Sequence, residues 1–263
     1  MKPISNPPPG LPRPDLPGLS GVAQTGGPGS AVLAFGAHPD DIEFGCGAVI
    51  ASETRAGRKA HMVVCSRGEA ATQGSPEQRV SETAAAAALL GASHEFVDLD
   101  GDAHLEVKVA HALTLAAVIR GIRPSVVLAP TPTENQHPDH ARLGRIVRDA
   151  ARLARYGGVR ELGSLPPHAI GQLLFYAVSA EGELPGALAL LIDVSNPAVF
   201  AAWTAAMRAH GSQASALPYL DLQVARARVH GLRAGLEYAQ VLYPSDPPVF
   251  GSLEPLARGA RRF

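Results

Sequence analysis

Apolar positions along the chain fall into short unbroken runs separated by longer stretches with helical spacing. Ala31-Val-Leu-Ala-Phe35, Ala60-His-Met-Val-Val-Cys65 and Ser125-Val-Val-Leu-Ala-Pro130 read as buried strands, and residues 95–99 as a weaker one. Between them, helices are predicted over 45–56, over 106–121 and from about 138 to 155. Another helix opens at the capping box Ser75-Pro76-Glu77-Gln78 and runs to Leu90, with Gly91 as its stop. Strand and helix thus alternate four times. Such alternation predicts an α/β fold, Rossmann-like, with a mostly parallel sheet and helices on both faces. Farther along, 171–178 and 190–194 read as strands, and 198–209 and 220–235 as helices.

Composition changes this picture at one end only. Residues 1–30 hold eight prolines and six glycines, with Lys2, Arg13 and Asp15 their only charges. This segment is predicted to be a flexible arm, because it cannot bury enough apolar surface to offset its chain entropy. Residues 31–263 are expected to form a single domain. The chain has 263 residues, of which 46% are hydrophobic, enough for a sizeable core. A net charge of −1 argues against broad nucleic-acid binding and against a polybasic membrane patch. No apolar run reaches membrane-spanning length, and no secretory signal is evident. A cytoplasmic protein with no nucleic-acid or membrane partner is expected. Two cysteines, Cys46 and Cys65, exclude a disulfide scaffold and read as small buried residues.

Ligands of open α/β sheets bind beyond the carboxyl ends of the strands, and two stretches rich in chemistry fall there. Ala37-His38-Pro39-Asp40-Asp41-Ile42-Glu43 follows the first strand, and Asn135-Gln136-His137-Pro138-Asp139-His140 follows the fourth. Two imidazoles and one carboxylate make a common ligand set for catalytic zinc, with a fourth position left for water. A neighbouring carboxylate is then free to act as general base, and a remaining histidine can stabilise an oxyanion or protonate a leaving amine. Metal-assisted hydrolysis of an amide or ester is the reaction these parts suit. His38-Pro-Asp40 with a distant His140 also matches the facial triad of non-haem iron oxygenases, which the alternating strand–helix pattern disfavours. Gly45-Cys-Gly47 lacks the third glycine of a dinucleotide fingerprint and reads as close helix packing instead.

The stretch Ala34-Phe-Gly-Ala-His38-Pro-Asp-Asp-Ile-Glu43-Phe-Gly resembles the signature of the PIG-L/LmbE-like zinc de-N-acetylases, and His137-Pro-Asp-His140 resembles their second signature. Weaker matches are Arg67-Gly-Glu69, Arg79-Val-Ser-Glu82, His210-Gly-Ser-Gln213 and Gly235-Leu-Glu-Tyr238-Ala. The resemblance implies a Rossmann-like enzyme that removes acetyl groups from N-acetylglucosamine conjugates. By position it makes His38, Asp41 and His140 the Zn2+ ligands and Asp40 the general base. His137 becomes the oxyanion stabiliser or acid, and Asp139 the residue that orients a histidine. Arg79 and Tyr219 become substrate contacts. The spelling Pro-Asp-Asp-Ile-Glu resembles the bacillithiol-pathway branch, whose substrate is N-acetylglucosaminyl malate and whose members are often trimers or hexamers. Gln240 departs from that branch, where a glutamate often follows Tyr-Ala. The expected partners are therefore a small sugar conjugate and further copies of the chain. A rival of another class is a metal-containing sugar-binding paralogue without turnover.

Overall fold

The computed structural model describes residues 30–134, 136–214 and 218–260. The predicted arm, Ser30 apart, lies outside the described residues. Strand β1 (Val32–Gly36) leads to α1 (Asp41–Arg55), β2 (Ala60–Val64), α2 (Pro76–Leu90), β3 (Ser93–Phe96), α3 (Val109–Ile122), β4 (Val126–Pro130) and α4 (Pro138–Arg155). Then follow β5 (Gln172–Tyr176), β6 (Leu190–Asp193), α5 (Pro197–Ala209), the single turn α6 (Gly211–Ala214), α7 (Tyr219–Arg233) and β7 (Ala239–Pro244). The seven strands form one sheet in the order β3-β2-β1-β4-β5-β7-β6. From β1 the chain moves outward to β2 and β3, then returns to the other side of β1 for β4 and β5. The seam between β1 and β4 is therefore the topological switch point, where such sheets open a crevice.

The sheet divides two cores. Val32 and Ala34 of β1 face a layer built from α1, α2 and α5, whereas Leu33 and Phe35 face α3 and α4. Both faces of the central strands are covered, so the strands read as unbroken apolar runs rather than as alternating ones. Two sequence expectations need correction. Strand β7 was not anticipated; it inserts between β5 and β6 and pairs antiparallel with both, setting Tyr243 opposite Phe175. Helix α1 begins at Asp41 rather than at residue 45, so the acidic motif forms its first turn instead of a loop. The capping box of α2 is formed: Gln78 N donates to Ser75 Oγ at 3.2 Å, and Gly91 ends the helix in the left-handed region. Among the described residues no helix is long and apolar enough to cross a membrane.

Two close fits hold the site-bearing helices. A Cβ on Gly45 would stand 2.1 Å from the ring of Tyr176, whose hydroxyl donates to Phe35 O at 2.7 Å. This clamps α1 against the sheet at the level of the first motif. On the other face, the buried Arg120 of α3 gathers carbonyls at and beyond the end of α4. It donates from Nε to Ala154 O (3.0 Å), from Nη1 to Leu162 O (2.7 Å) and Leu165 O (2.8 Å), and from Nη2 to Tyr156 O (2.7 Å). A cation at a helix C-terminus also offsets the helix dipole.

Replacing Arg120 by methionine removes these charged bonds, leaves Leu165 O without its donor and is expected to cost about 3 kcal/mol, read from urea unfolding. Gly45→Ala is expected to lose roughly 1–3 kcal/mol by overpacking against Tyr176 in the same assay.

Candidate active site

Both motifs lie at the seam. After β1 the chain turns through Ala37 and His38, and the Asp41 carboxylate holds the turn: its Oδ2 accepts from Ala37 N (2.8 Å) and His38 N (2.9 Å). After β4, Pro138 starts α4 and His137 is its N-cap, with Nδ1 accepting from Asp139 N at 3.3 Å. Proline suits that first helical position, since its missing N–H would have had no partner. His140 sits one turn into the helix and meets the first motif there.

Three donor atoms converge. His140 Nε2 lies 2.9 Å from Asp41 Oδ1 and 3.3 Å from His38 Nδ1, and His38 Nδ1 lies 3.5 Å from Asp41 Oδ2. Ring nitrogens of His38, His137 and His140 also fall within 4.8 Å of one another. Two buried imidazole nitrogens and a carboxylate oxygen are the donor chemistry that suits a catalytic divalent metal, so these residues fit one. Burial would raise the Asp41 pKa, but His140 and His38 beside it hold the carboxyl well below its usual range.

The other edge of His38 is tied down. Its Nε2 lies 3.0 Å from Asp102 Oδ1 and 3.4 Å from Asp139 Oδ2. A carboxylate behind a ligand histidine fixes its tautomer and raises its basicity. Despite burial, the carboxylates of Asp41, Asp102 and Asp139 raise the His38 pKa well above the ordinary value. Asp139 is itself fixed, with Oδ2 accepting from Ala103 N at 2.8 Å and Oδ1 from Arg142 Nη1 at 3.2 Å. Asp102 was not anticipated from sequence. It comes from the connection after β3, whose shape depends on left-handed residues at Asp100 and Ala103. The match at Arg67-Gly-Glu69 was an indirect signal, because Glu69 Oε2 accepts from Asp102 N at 3.1 Å and steadies that connection.

Asp40 stands beside the donor cluster at φ 102°, a strained conformation for any residue with a side chain. Burial, reinforced by the adjacent Asp41 charge, raises its pKa to about 7, against the pull of His210, Arg79 and His38. That value suits a general base. Arg79 is buried, at 4% exposure, rather than on the surface. Its Nη2 donates to Pro39 O at 2.7 Å and lies 3.4 Å from Asp40 Oδ2. Gly68 makes room for it, since a Cβ there would fall 2.1 Å from the guanidinium. His137 is the exposed member of the three histidines, and desolvation together with the neighbouring His38 and His140 lowers its pKa. With Nδ1 accepting from the helix, the neutral ring carries its proton on Nε2. Tyr219 stands at the mouth of the cleft, its ring 6.0 Å from that of Phe44.

These side chains line one cleft of about 340 Å³, which gathers His38, Asp40, Asp41, His137 and His140 with Arg79 and Tyr219. Asp139 is the one predicted site residue outside the lining; it stands behind His38. Gly45 and Gly47 serve close packing, Gly47 against Trp203, and the two cysteines are buried thiols. A second buried pair, Glu43 and His210, lies 3.0 Å apart beneath the first turn of α1, and Trp203 Nε1 donates to Glu43 O at 2.8 Å.

Comparison with known proteins agrees with this geometry. The family described as GlcNAc-PI de-N-acetylase matches residues 33–151, a span that contains both motifs. A 1D-myo-inositol 2-acetamido-2-deoxy-alpha-D-glucopyranoside deacetylase 2 of Catenulispora acidiphila is 27% identical over 188 residues, covering 58% of this chain and 62% of the relative. The chain thus spans under two thirds of that relative's length. A 4-oxalmesaconate hydratase of Pseudomonas putida is 30% identical over 145 residues, 51% of this chain and 56% of the relative. Among solved structures, the conserved protein TT1542 of Thermus thermophilus superposes with a TM-score of 0.76 at 30% identity, covering 88% of this chain and all of that one. With both signatures in their order on the strands that flank the seam, and this likeness extending over most of the chain, the protein belongs to the PIG-L/LmbE-like de-N-acetylase family.

Proposed function

We propose that this chain is a zinc-dependent hydrolase that removes the acetyl group from an N-acetylglucosamine conjugate. The observation that carries this reading is the meeting of His38 Nδ1, His140 Nε2 and the Asp41 carboxylate within 3.5 Å, with Asp40 beside them and outside the donor set. His38, Asp41 and His140 would hold the metal. When bound, zinc supplies Lewis acidity and lowers the pKa of a coordinated water to about 7.

The chain's own residues supply the rest. The Asp40 carboxylate takes a proton from the attacking water and later delivers it to the leaving amine. His137 Nε2–H donates to the oxygen of the acetyl carbonyl as negative charge develops there. Asp102 and Asp139 keep His38 turned with Nδ1 toward the site. Arg79, fixed on Pro39 O, holds the strained Asp40 backbone in place and presents its charge to the base. Tyr219 would meet the sugar or what it is linked to.

The family name and the Catenulispora relative support an N-acetylglucosamine-type substrate, and that relative's name specifies an inositol conjugate. N-acetylglucosaminyl malate, the substrate implied by the Asp-Asp-Ile-Glu spelling, belongs beside it in a first assay. The same reading takes the enzyme as cytoplasmic, its folded part as the single domain 31–263, and its assembly as a trimer or hexamer.

Acetate release from such conjugates is expected to vanish with a chelator and return with added zinc. No release by metal-loaded protein would overturn the proposal, and hydration of 4-oxalmesaconate in its place would assign the site to the Pseudomonas relative's reaction. Asp40→Asn is expected to keep zinc, measured by elemental analysis, while kcat falls about 10²–10⁴-fold. His140→Ala is expected to lose the metal itself; full zinc occupancy in that variant would refute the ligand set.

A further inference from the structure

The cleft has two chemically distinct ends. The inner end holds the histidines, the carboxylates and Arg79. The remaining lining is uncharged: buried Phe44 and Val178, exposed Tyr219 and Leu222, and the neutral side chains of Ser179, Gln213 and Gln223. The two exposed apolar groups mark its outer end. Tyr219 and Leu222 stand in the first turn of α7, 40% and 45% exposed. Large apolar side chains held open to water at the mouth of a cleft mark a surface that a ligand covers.

Charge at this mouth is equally informative. Arg79 is the only lysine or arginine among the described residues lining the cleft, and its guanidinium is engaged at the inner end by Pro39 O and Asp40. The arginines beside the lining segments are paired as well: Arg67 with Asp98, Arg142 with Asp139 and Arg226 with Glu183. A conjugate ending in two carboxylates would lose hydration against Leu222 and Tyr219 without gaining a counter-ion from the described residues of the lining.

We infer that the outer end is a subsite for an uncharged, apolar aglycone, aromatic or alkyl, and that Leu222 is a specificity-determining residue within it. This rests on the deacetylase reading above. It departs from that reading's malate candidate, because the mouth offers apolar contact where malate needs cations. The sugar's N-acetyl group would reach the inner end while the aglycone lies across Leu222, Tyr219 and Phe44.

The test compares methyl N-acetyl-β-glucosaminide, its benzyl counterpart and N-acetylglucosaminyl malate on the zinc-loaded full chain. The benzyl glycoside is expected to exceed the methyl glycoside at least about tenfold in kcat/KM, through apolar contact alone. The malate conjugate is expected to show no gain over methyl. In Leu222→Asp the benzyl-to-methyl ratio is expected to collapse to near one. A malate conjugate that outruns the benzyl glycoside would overturn the inference and leave the deacetylase reading standing. So would an unchanged ratio in Leu222→Asp, including one accompanied by altered sedimentation, which would assign the mouth to contact between copies. Absence of acetate from all three would overturn the deacetylase reading instead. Calorimetric binding of the same three sugars then decides the subsite alone: tightest binding of the benzyl glycoside upholds it, and tightest binding of the malate conjugate overturns it.

Discussion

The Asp41 carboxylate joins the fold to the chemistry. One oxygen ties the backbone of the turn after β1 through two amides, and the other faces His140 from the crossover after β4. A carboxylate this deeply buried would ordinarily become neutral. Here two backbone donors and two imidazoles keep it ionised, and that ionised group draws both motifs to one point. Remove it and the turn loses its internal anchor, while His38 and His140 lose the group they share. The position of every other site residue follows from that joint.

Around it the polar groups are arranged by depth. Asp102 and Asp139 stand behind His38, Glu69 steadies Asp102, and Ala103 steadies Asp139. Each member of this chain has a partner, which is the condition for a buried polar network to add rigidity rather than cost. The most extreme backbone angle among these residues is at Asp40, whose backbone sits where few side chains are tolerated, and Arg79 braces it from α2. The part of the structure that moves a proton is thus also the part held least comfortably, a common feature of functional sites.

Much of this was legible in the residues. Local signals with a mechanism located their elements well: Ser75 and Gly91 bounded α2, Pro138 opened α4, and the apolar runs gave the parallel strands. Features that depend on distant contact were not legible. Strand β7 escaped because its six residues carry no helix-crossover context and end in a proline; only pairing with β5 and β6 makes them a strand. The start of α1 was misplaced because Pro39 and two aspartates read as loop, whereas a left-handed Asp40 lets the helix begin at once. Asp102 was invisible for the same reason, since nothing near it in sequence announces His38. Arg79 was expected as a substrate contact; its bond to Pro39 O, which ties it to the Asp40 backbone, depends on distant packing that sequence does not show.

The location of the cluster on the seam between β1 and β4 ties its thermodynamics to the whole sheet. His38 and Asp41 belong to the crossover that leaves toward β2, and His140 to the one that follows β4 on the other side. The turn after β1 and the first turn of α4 must both hold their places at the ends of these central strands for the three to meet, so the donor set exists only in the folded unit. Any cation that binds this set acts on the global folding equilibrium. By mass action, a free concentration of one hundred times its dissociation constant adds about 2.7 kcal/mol to the stability of the entire folded unit.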